Sequence, residues 1–225
     1  MLKRGLIIAA KDLKLSVGGG QGLTQAVLLG LLLIFVFSLS RPAGQLVEAQ
    51  AASAIFWLAS CFGLVLVFNT LFSMEESNEA RLGLLSSPVP LHAVWFGKGL
   101  AGFGLLLCSQ LVFLPATIVF LGQDLKGSFA FFAITVLAAD WGLVSLGALL
   151  GAISQGQAAR ESLLSVILFP LLLPILLGAI QLMTSAFSGV EALDQSSWLG
   201  IILSSSALFS GAGLILFPFV YSGEQ

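Results

Sequence analysis

Asn69-Thr-Leu-Phe-Ser-Met-Glu-Glu-Ser-Asn-Glu-Ala-Arg-Leu-Gly-Leu-Leu-Ser-Ser-Pro-Val-Pro-Leu-His-Ala-Val-Trp-Phe-Gly-Lys98 is the one long polar interruption between two strongly apolar segments. It holds Glu75, Glu76 and Glu79, three of the eleven acidic residues. Ser73 and Glu76 have capping-box spacing, in which the hydroxyl bonds the N3 N–H and the carboxylate reaches back to the cap. Glu75 and Glu76 then fall in a first turn, where the helix dipole favours negative charge. Ser87 precedes Pro88 and is pushed out of the α region, so the helix should stop near Leu85 or Ser86. Pro90 can restart a helix at N1, where its missing N–H costs nothing. The expectation is a short acidic helix over 73–87, held outside a bilayer between two apolar helices. Glu75, Glu76, Glu79 and Arg81 are its candidate docking residues for a partner. Pro88 and Pro90 fix φ at two of three positions and form a stiff coupling turn.

Working outward, the chain has 225 residues, 58% of them hydrophobic, 9% charged, and a mean hydropathy of +1.06. Soluble domains carry about 25% charged residues. This composition specifies an all-α membrane protein. A hydrocarbon core about 30 Å thick needs about 20 apolar residues per helix. Six stretches meet that length: 23–40, 51–72, 97–121, 129–151, 162–187 and 198–221. Placing the N-terminus, 73–96, 152–161 and the C-terminus on one side, with Lys98 at the boundary, collects seven Lys and Arg there. Only Arg41 and Lys126 remain opposite. The positive-inside rule then puts both termini and the acidic helix in the cytoplasm. The organisation expected is a cytoplasmic interfacial helix and elbow over 1–22, a six-span membrane domain over 23–221 and a cytoplasmic tail over 222–225.

Residues 2–15 place Leu2, Leu6, Ala9, Ala10 and Leu13 on one helical face, with Lys3, Arg4, Lys11 and Lys14 largely off it. Such a helix lies on an anionic membrane surface. No small-residue cleavage site follows it directly, so this segment is expected to be retained. Gly18-Gly-Gly-Gln-Gly22 reads as an elbow. Gly97-x-x-x-Ala101 and Gly147-x-x-x-Gly151 suit close helix approach, although the pattern is common in apolar segments. Pro115, Pro170, Pro174 and Pro218 fall within spans, and the Pro170/Pro174 pair should kink the fifth.

Much chemistry is excluded. No Gly-x-x-x-x-Gly-Lys-[Ser/Thr] loop exists, so the chain does not hydrolyse ATP alone and is not expected to be an enzyme. No span carries a histidine to ligate haem, and His92, the single one, reads as a solvated loop residue. No base accompanies the serines. Cys61 and Cys108 lie in apolar runs and read as small buried hydrophobes, not metal ligands. Trp95, Trp198 and Tyr221 fall near span boundaries, where aromatic anchors sit; Trp57 and Trp141 fall deeper. Asp140 is the polar exception, near the centre of span four. With Ala133, Gly147 and Gly151 it forms one strip, which should face protein. It is either an acid hydrogen-bonded to a neighbouring helix or a polar point on a path or dimer contact.

Phe72-Ser-Met-Glu-Glu, then Gly83-Leu-Leu-Ser-Ser-Pro-Val-Pro, then Gly97-Lys98 resemble the haem exporter protein B family, the permease subunit of the cytochrome c maturation ABC transporter. Leu146-Gly-Ala-Leu-Leu-Gly-Ala-Ile-Ser-Gln-Gly-Gln-Ala-Ala-Arg160 and Leu168-Phe-Pro-Leu-Leu-Leu-Pro-Ile-Leu176 extend the likeness over nearly the whole length. The resemblance implies a bacterial inner-membrane permease working with a separate ABC ATPase and a haem-handling membrane subunit. It also implies a second copy of the chain, surrounding lipid and no nucleic-acid partner. ATP enters through the partner, no cofactor is held tightly, and haem is the handled ligand. In such assemblies the ATPase grips a short cytoplasmic permease helix, which fits the acidic helix at 73–87. Two other readings stay open: an ABC permease for another amphiphile such as a lipid or drug, and a membrane scaffold without a transport path.

Overall fold

In hydrocarbon every peptide N–H and C=O needs a partner within its own segment, so the apolar runs become helices. The computed structural model describes residues 2–19, 21–40, 46–77, 80–154, 158–190 and 194–222. Among these there are eight helices and no strand: α1 (Leu2–Gly19), α2 (Gln21–Leu39), α3 (Ala49–Ser77), α4 (Ala80–Leu85), α5 (Leu91–Leu121), α6 (Phe129–Ser154), α7 (Ala158–Ser188) and α8 (Gln195–Ser222). Six of them are long and apolar enough to cross a membrane, as the sequence implies.

The helices overshoot the expected spans. α3 has 29 residues and α5 has 31. At 1.5 Å per residue each is about 45 Å long, against a core of about 30 Å. The surplus of α3 is its C-terminal turns, and that of α5 is its N-terminal turns, so both project at the same end of the bundle.

This overrides the capping box. Ser73 lies inside α3, and its hydroxyl donates to the Thr70 carbonyl at 3.1 Å. An N-cap needs non-helical backbone. Nothing breaks α3 before Ser77, so the hydroxyl bonds back into the preceding turn instead. The helix expected over 73–87 is therefore two pieces: the end of α3 and the six-residue α4, with 78–79 outside the described residues. α4 does stop at Leu85, as Pro88 requires. Pro90 is the N-cap of α5, with φ −65° and ψ 133°, so the helix begins at Leu91, one residue later than expected.

α3 packs by inserting rings into glycine notches. Phe68 faces Gly102 on α5 and Gly147 on α6, where an added Cβ would lie 2.5 and 2.7 Å from its ring. Phe72 fills the notch at Gly151. The Asp140 strip therefore faces protein, since small residues let helices approach where no hydrophobic force between them operates in lipid. A second seam joins α6 to α8. Trp141 Nε1 donates to Ser210 Oγ at 3.1 Å, and Ser206 Oγ donates to the Ala138 carbonyl at 3.2 Å.

α1 turns toward the protein a face other than the one carrying Leu2 and Leu6. Gly5, Ile8, Ala9, Asp12 and Ser16 are buried, whereas Leu2 and Leu6 are exposed. The helix lies against α5: a Cβ at Gly97 would be 2.8 Å from both the Gly5 carbonyl oxygen and Ile8 Cβ. Small residues and one carboxylate, not the apolar stripe, choose the protein-facing side. The prolines at 115, 170, 174 and 218 all lie inside helices that continue through them, and Pro170 and Pro174 are exposed on α7.

Candidate functional site

Where the overshooting ends of α3 and α5 meet, four helices contribute to one buried charge cluster. Lys98, in the second turn of α5, has no exposed surface. Its Nζ lies 3.0 Å from Glu75 Oε1 on α3 and 3.4 Å from Asp12 Oδ2 on α1. It also donates to the Leu71 carbonyl at 3.0 Å and stands 4.6 Å from the centre of the Phe72 ring. Lys11 pairs with Asp12 at 3.0 Å and approaches Glu75 at 3.9 Å. Tyr221, from the last turn of α8, donates its hydroxyl to Glu75 Oε2 at 3.0 Å.

Two cations and two carboxylates balance within this cluster. Lys98, Glu75 and Asp12 are withdrawn from water, which costs several kcal/mol per ion unless partners replace the solvent, whereas the Lys11 side chain stays 43% exposed at the edge. The cluster therefore ties α1, the C-terminus of α3, the N-terminus of α5 and the C-terminus of α8 into one unit. α4 begins only five residues beyond Glu75. Beside it, Arg4 Nη1 donates to the Pro88 carbonyl, so α1 also holds the Pro88–Pro90 turn.

A second polar group lies deep among the spans. Gln110 Nε2 donates to Asp140 Oδ1 at 2.8 Å and to Ser60 Oγ at 3.2 Å, joining α5 to α6 and α3. All three residues are buried. Among the described residues no metal-binding group of His, Cys, Asp and Glu occurs.

The sequence profile of the CcmB protein family matches residues 4–222, which include every residue of both clusters. The chain belongs to the CcmB protein family. It is similar to Heme exporter protein B of Rhodobacter capsulatus, with 25% identity over 223 residues covering 94% of each chain. It is likewise similar to Heme exporter protein B of Paracoccus denitrificans, with 25% identity over 195 residues covering 85% of this chain and 88% of that one.

For this CcmB-family chain the residues singled out by sequence separate into distinct places. Glu75, expected at a docking surface, is 3% exposed and turned toward Lys98 and Tyr221. The reason is that α3 continues past Ser73, which carries Glu75 to its inward face. Glu79 lies outside the described residues, as do the side chains of Glu76 and Arg81. Pro88 and Pro90 are exposed in the turn, and Asp140 is in the buried network. Trp95 and Tyr221 are not lipid anchors: Trp95 is 3% exposed against Gly213, and Tyr221 is fully buried. Cys61 is buried as expected, but Cys108 is exposed on α5. His92 is exposed.

Sequence reasoning passed over Asp12, Lys98 and Tyr221 as a set, and Gln110 and Ser60 as partners of Asp140. The CcmB-family sequence does carry a signal for Asp12, Lys98 and Gln110. Asp12 falls seven residues after Gly5, on the small-residue face of α1, and Lys98 follows Gly97 inside an apolar run. Gln110 is the sole amide inside span three.

Proposed function

We propose that the chain is the transmembrane permease subunit of an ABC transporter that exports haem for c-type cytochrome biogenesis. The observation that carries this reading is the family match across residues 4–222, coinciding with six apolar helices of spanning length. The two Heme exporter protein B relatives support it over most of their length. The protein is a multi-pass membrane protein; the bacterial inner membrane, with both termini cytoplasmic, agrees with the charge bias of its connections. ATP is hydrolysed by a separate subunit, since the sequence has no phosphate loop.

The charge cluster gives this reading a mechanical part. α4, which contains Arg81, docks the ATPase together with the neighbouring Glu76 and Glu79. Movement of α4 reaches the spans through Glu75 and through the Pro88–Pro90 turn, because Lys98 and Arg4 clamp both to neighbouring helices. Bending of α7 at Pro170 and Pro174, each lacking a ladder hydrogen bond, accommodates the movement. A haem-handling membrane subunit and a second copy complete the assembly.

The test is affinity purification of the full-length chain in mild detergent, with its companions identified by mass spectrometry. An ABC ATPase and a haem-containing membrane protein should accompany it in stable ratio. Recovery with neither, from membranes making c-type cytochromes, would contradict the proposal.

A further inference from the structure

α1 crosses the bundle at a single level. Near its start, a Cβ on Gly97 would lie 2.8 Å from the Gly5 carbonyl oxygen. Just beyond its end, a Cβ on Gly22 would lie 2.6 Å from Thr70 Oγ1. Gly97 adjoins Lys98, Thr70 adjoins Leu71, and Lys98 Nζ donates to the Leu71 carbonyl at 3.0 Å, so both ends of α1 share one height. That height is the edge of the hydrocarbon. From Lys98 to the end of α5 at Leu121 is about 35 Å of helix, against a core of about 30 Å.

Two contacts fix which side of α1 faces the bilayer. Leu13 reaches inward along α5, where a Cβ on Gly104 would be 3.2 Å from its Cδ2. Arg4 reaches the other way and donates to the carbonyl of Pro88, ahead of α5. At 3.6 residues per turn, nine residues are two and a half turns, so these two project from opposite sides. Leu2 and Leu6 share the Leu13 side and turn their exposed surface toward acyl chains. The Arg4 side, with Lys11, Ile7 and Leu15, is the one a protein partner outside the bilayer would meet.

Lys3 and Lys14 belong to neither side. They lie opposite the buried Gly5, Ala9 and Asp12, and so point away from the protein at headgroup height. Three turns separate them, which places them about 16 Å apart and facing the same way. Both are exposed, and neither has an ion-pair partner among the described residues. Cations bordering a lipid-facing apolar sector match anionic phospholipid in both charge and depth.

We propose that Lys3 and Lys14 bind the phosphates of anionic phospholipids, and that this attachment keeps α1 seated with Asp12 on Lys98 and Arg4 on the Pro88 carbonyl. Both holds are on one helix, so membrane charge reaches the buried cluster and the proline turn together. Neither a transported substrate nor an ATPase is needed for it.

The purified full-length chain, in micelles carrying equal phosphatidylglycerol and phosphatidylcholine, is analysed by native mass spectrometry. Retained lipid should favour phosphatidylglycerol. Lys3→Gln and Lys14→Gln should each lower that preference about fivefold, which corresponds to about 1 kcal/mol per lysine near an anionic surface. Replacing both by arginine should keep it. In vesicles, amide hydrogen exchange over residues 5–16 should be several-fold slower with phosphatidylglycerol than with phosphatidylcholine alone, and the double glutamine variant should lose that difference. An undiminished lipid preference in the double glutamine variant would overturn the proposal; loss of co-purified ATPase alongside it would assign the lysines to a protein partner instead. Exchange indifferent to phosphatidylglycerol would also overturn it, since lipid would then bind without seating α1.

Discussion

Lys98 Nζ stands 3.0 Å from Glu75 Oε1, an ammonium with no exposed surface paired to a carboxylate 3% exposed. Removing one member strands the other, which costs about 3–5 kcal/mol in a buried pair. Lys98→Met should therefore lower the thermal midpoint of the purified protein markedly. Adding Glu75→Gln to it should cost much less than the two single losses combined, because the second change removes the stranded charge. A Lys98→Met protein as stable as the parent would show that the pair contributes nothing to the bundle.

Gly97 supplies a geometric counterpart to that electrostatic tie. Its absent side chain admits the Gly5 carbonyl and Ile8, each 2.8 Å from where a Cβ would be. Gly97→Val should push α1 off α5 and open the Asp12–Lys98 contact, at a cost of about 1–3 kcal/mol from overpacking. Limited proteolysis of α1 in detergent should be faster in the variant. Unchanged cleavage would mean that α1 is held by other contacts.

Six spans were legible in the sequence because apolar length is a local property that survives any packing arrangement. The stop at Leu85 was legible for the same reason, since Pro88 acts on its own neighbour. The role of Glu75 was not. Ser73 and Glu76 have cap spacing, but whether a helix begins there depends on whether the preceding one has ended, and α3 had not. Asp12 and Lys98 are 86 positions apart, and Glu75 and Tyr221 are 146 apart. Only the bundle brings them together. Asp140 was found because a mid-span acid is conspicuous by itself, whereas its partner Gln110 is an ordinary polar residue until α5 lies beside α6.

Asp140 accepts one hydrogen bond from Gln110 at 2.8 Å. Asp140→Asn keeps a carbonyl acceptor at that place and should be tolerated in stability. Asp140→Leu leaves the Gln110 amide buried without that acceptor and should cost about 1–3 kcal/mol. Denaturation midpoints of the two variants, measured side by side, check this. A Leu variant as stable as Asn would show that the network does not fasten the spans.

Docking through α4 predicts that charge reversal at Glu76 and Glu79 together reduces the yield of co-purified ATPase several-fold, with membrane insertion unchanged. Replacing Pro88 and Pro90 by alanine should instead leave the ATPase bound and lower its coupling to cytochrome maturation, since freedom restored to the turn dissipates the movement. ATPase yield and maturation, measured on the same membranes, separate the two effects. Equal yield in the charge-reversed variant would place the docking surface elsewhere.

The most direct test of the account is the covalent haem content of c-type cytochromes in the source bacterium after deletion of this chain. Haem-stained gels of the membrane fraction should lose their c-type bands, and plasmid-borne wild-type chain should restore them. Restoration by Lys98→Met should be far weaker than by wild type at matched protein level. Undiminished c-type cytochromes in the deletion strain would contradict the proposed function outright.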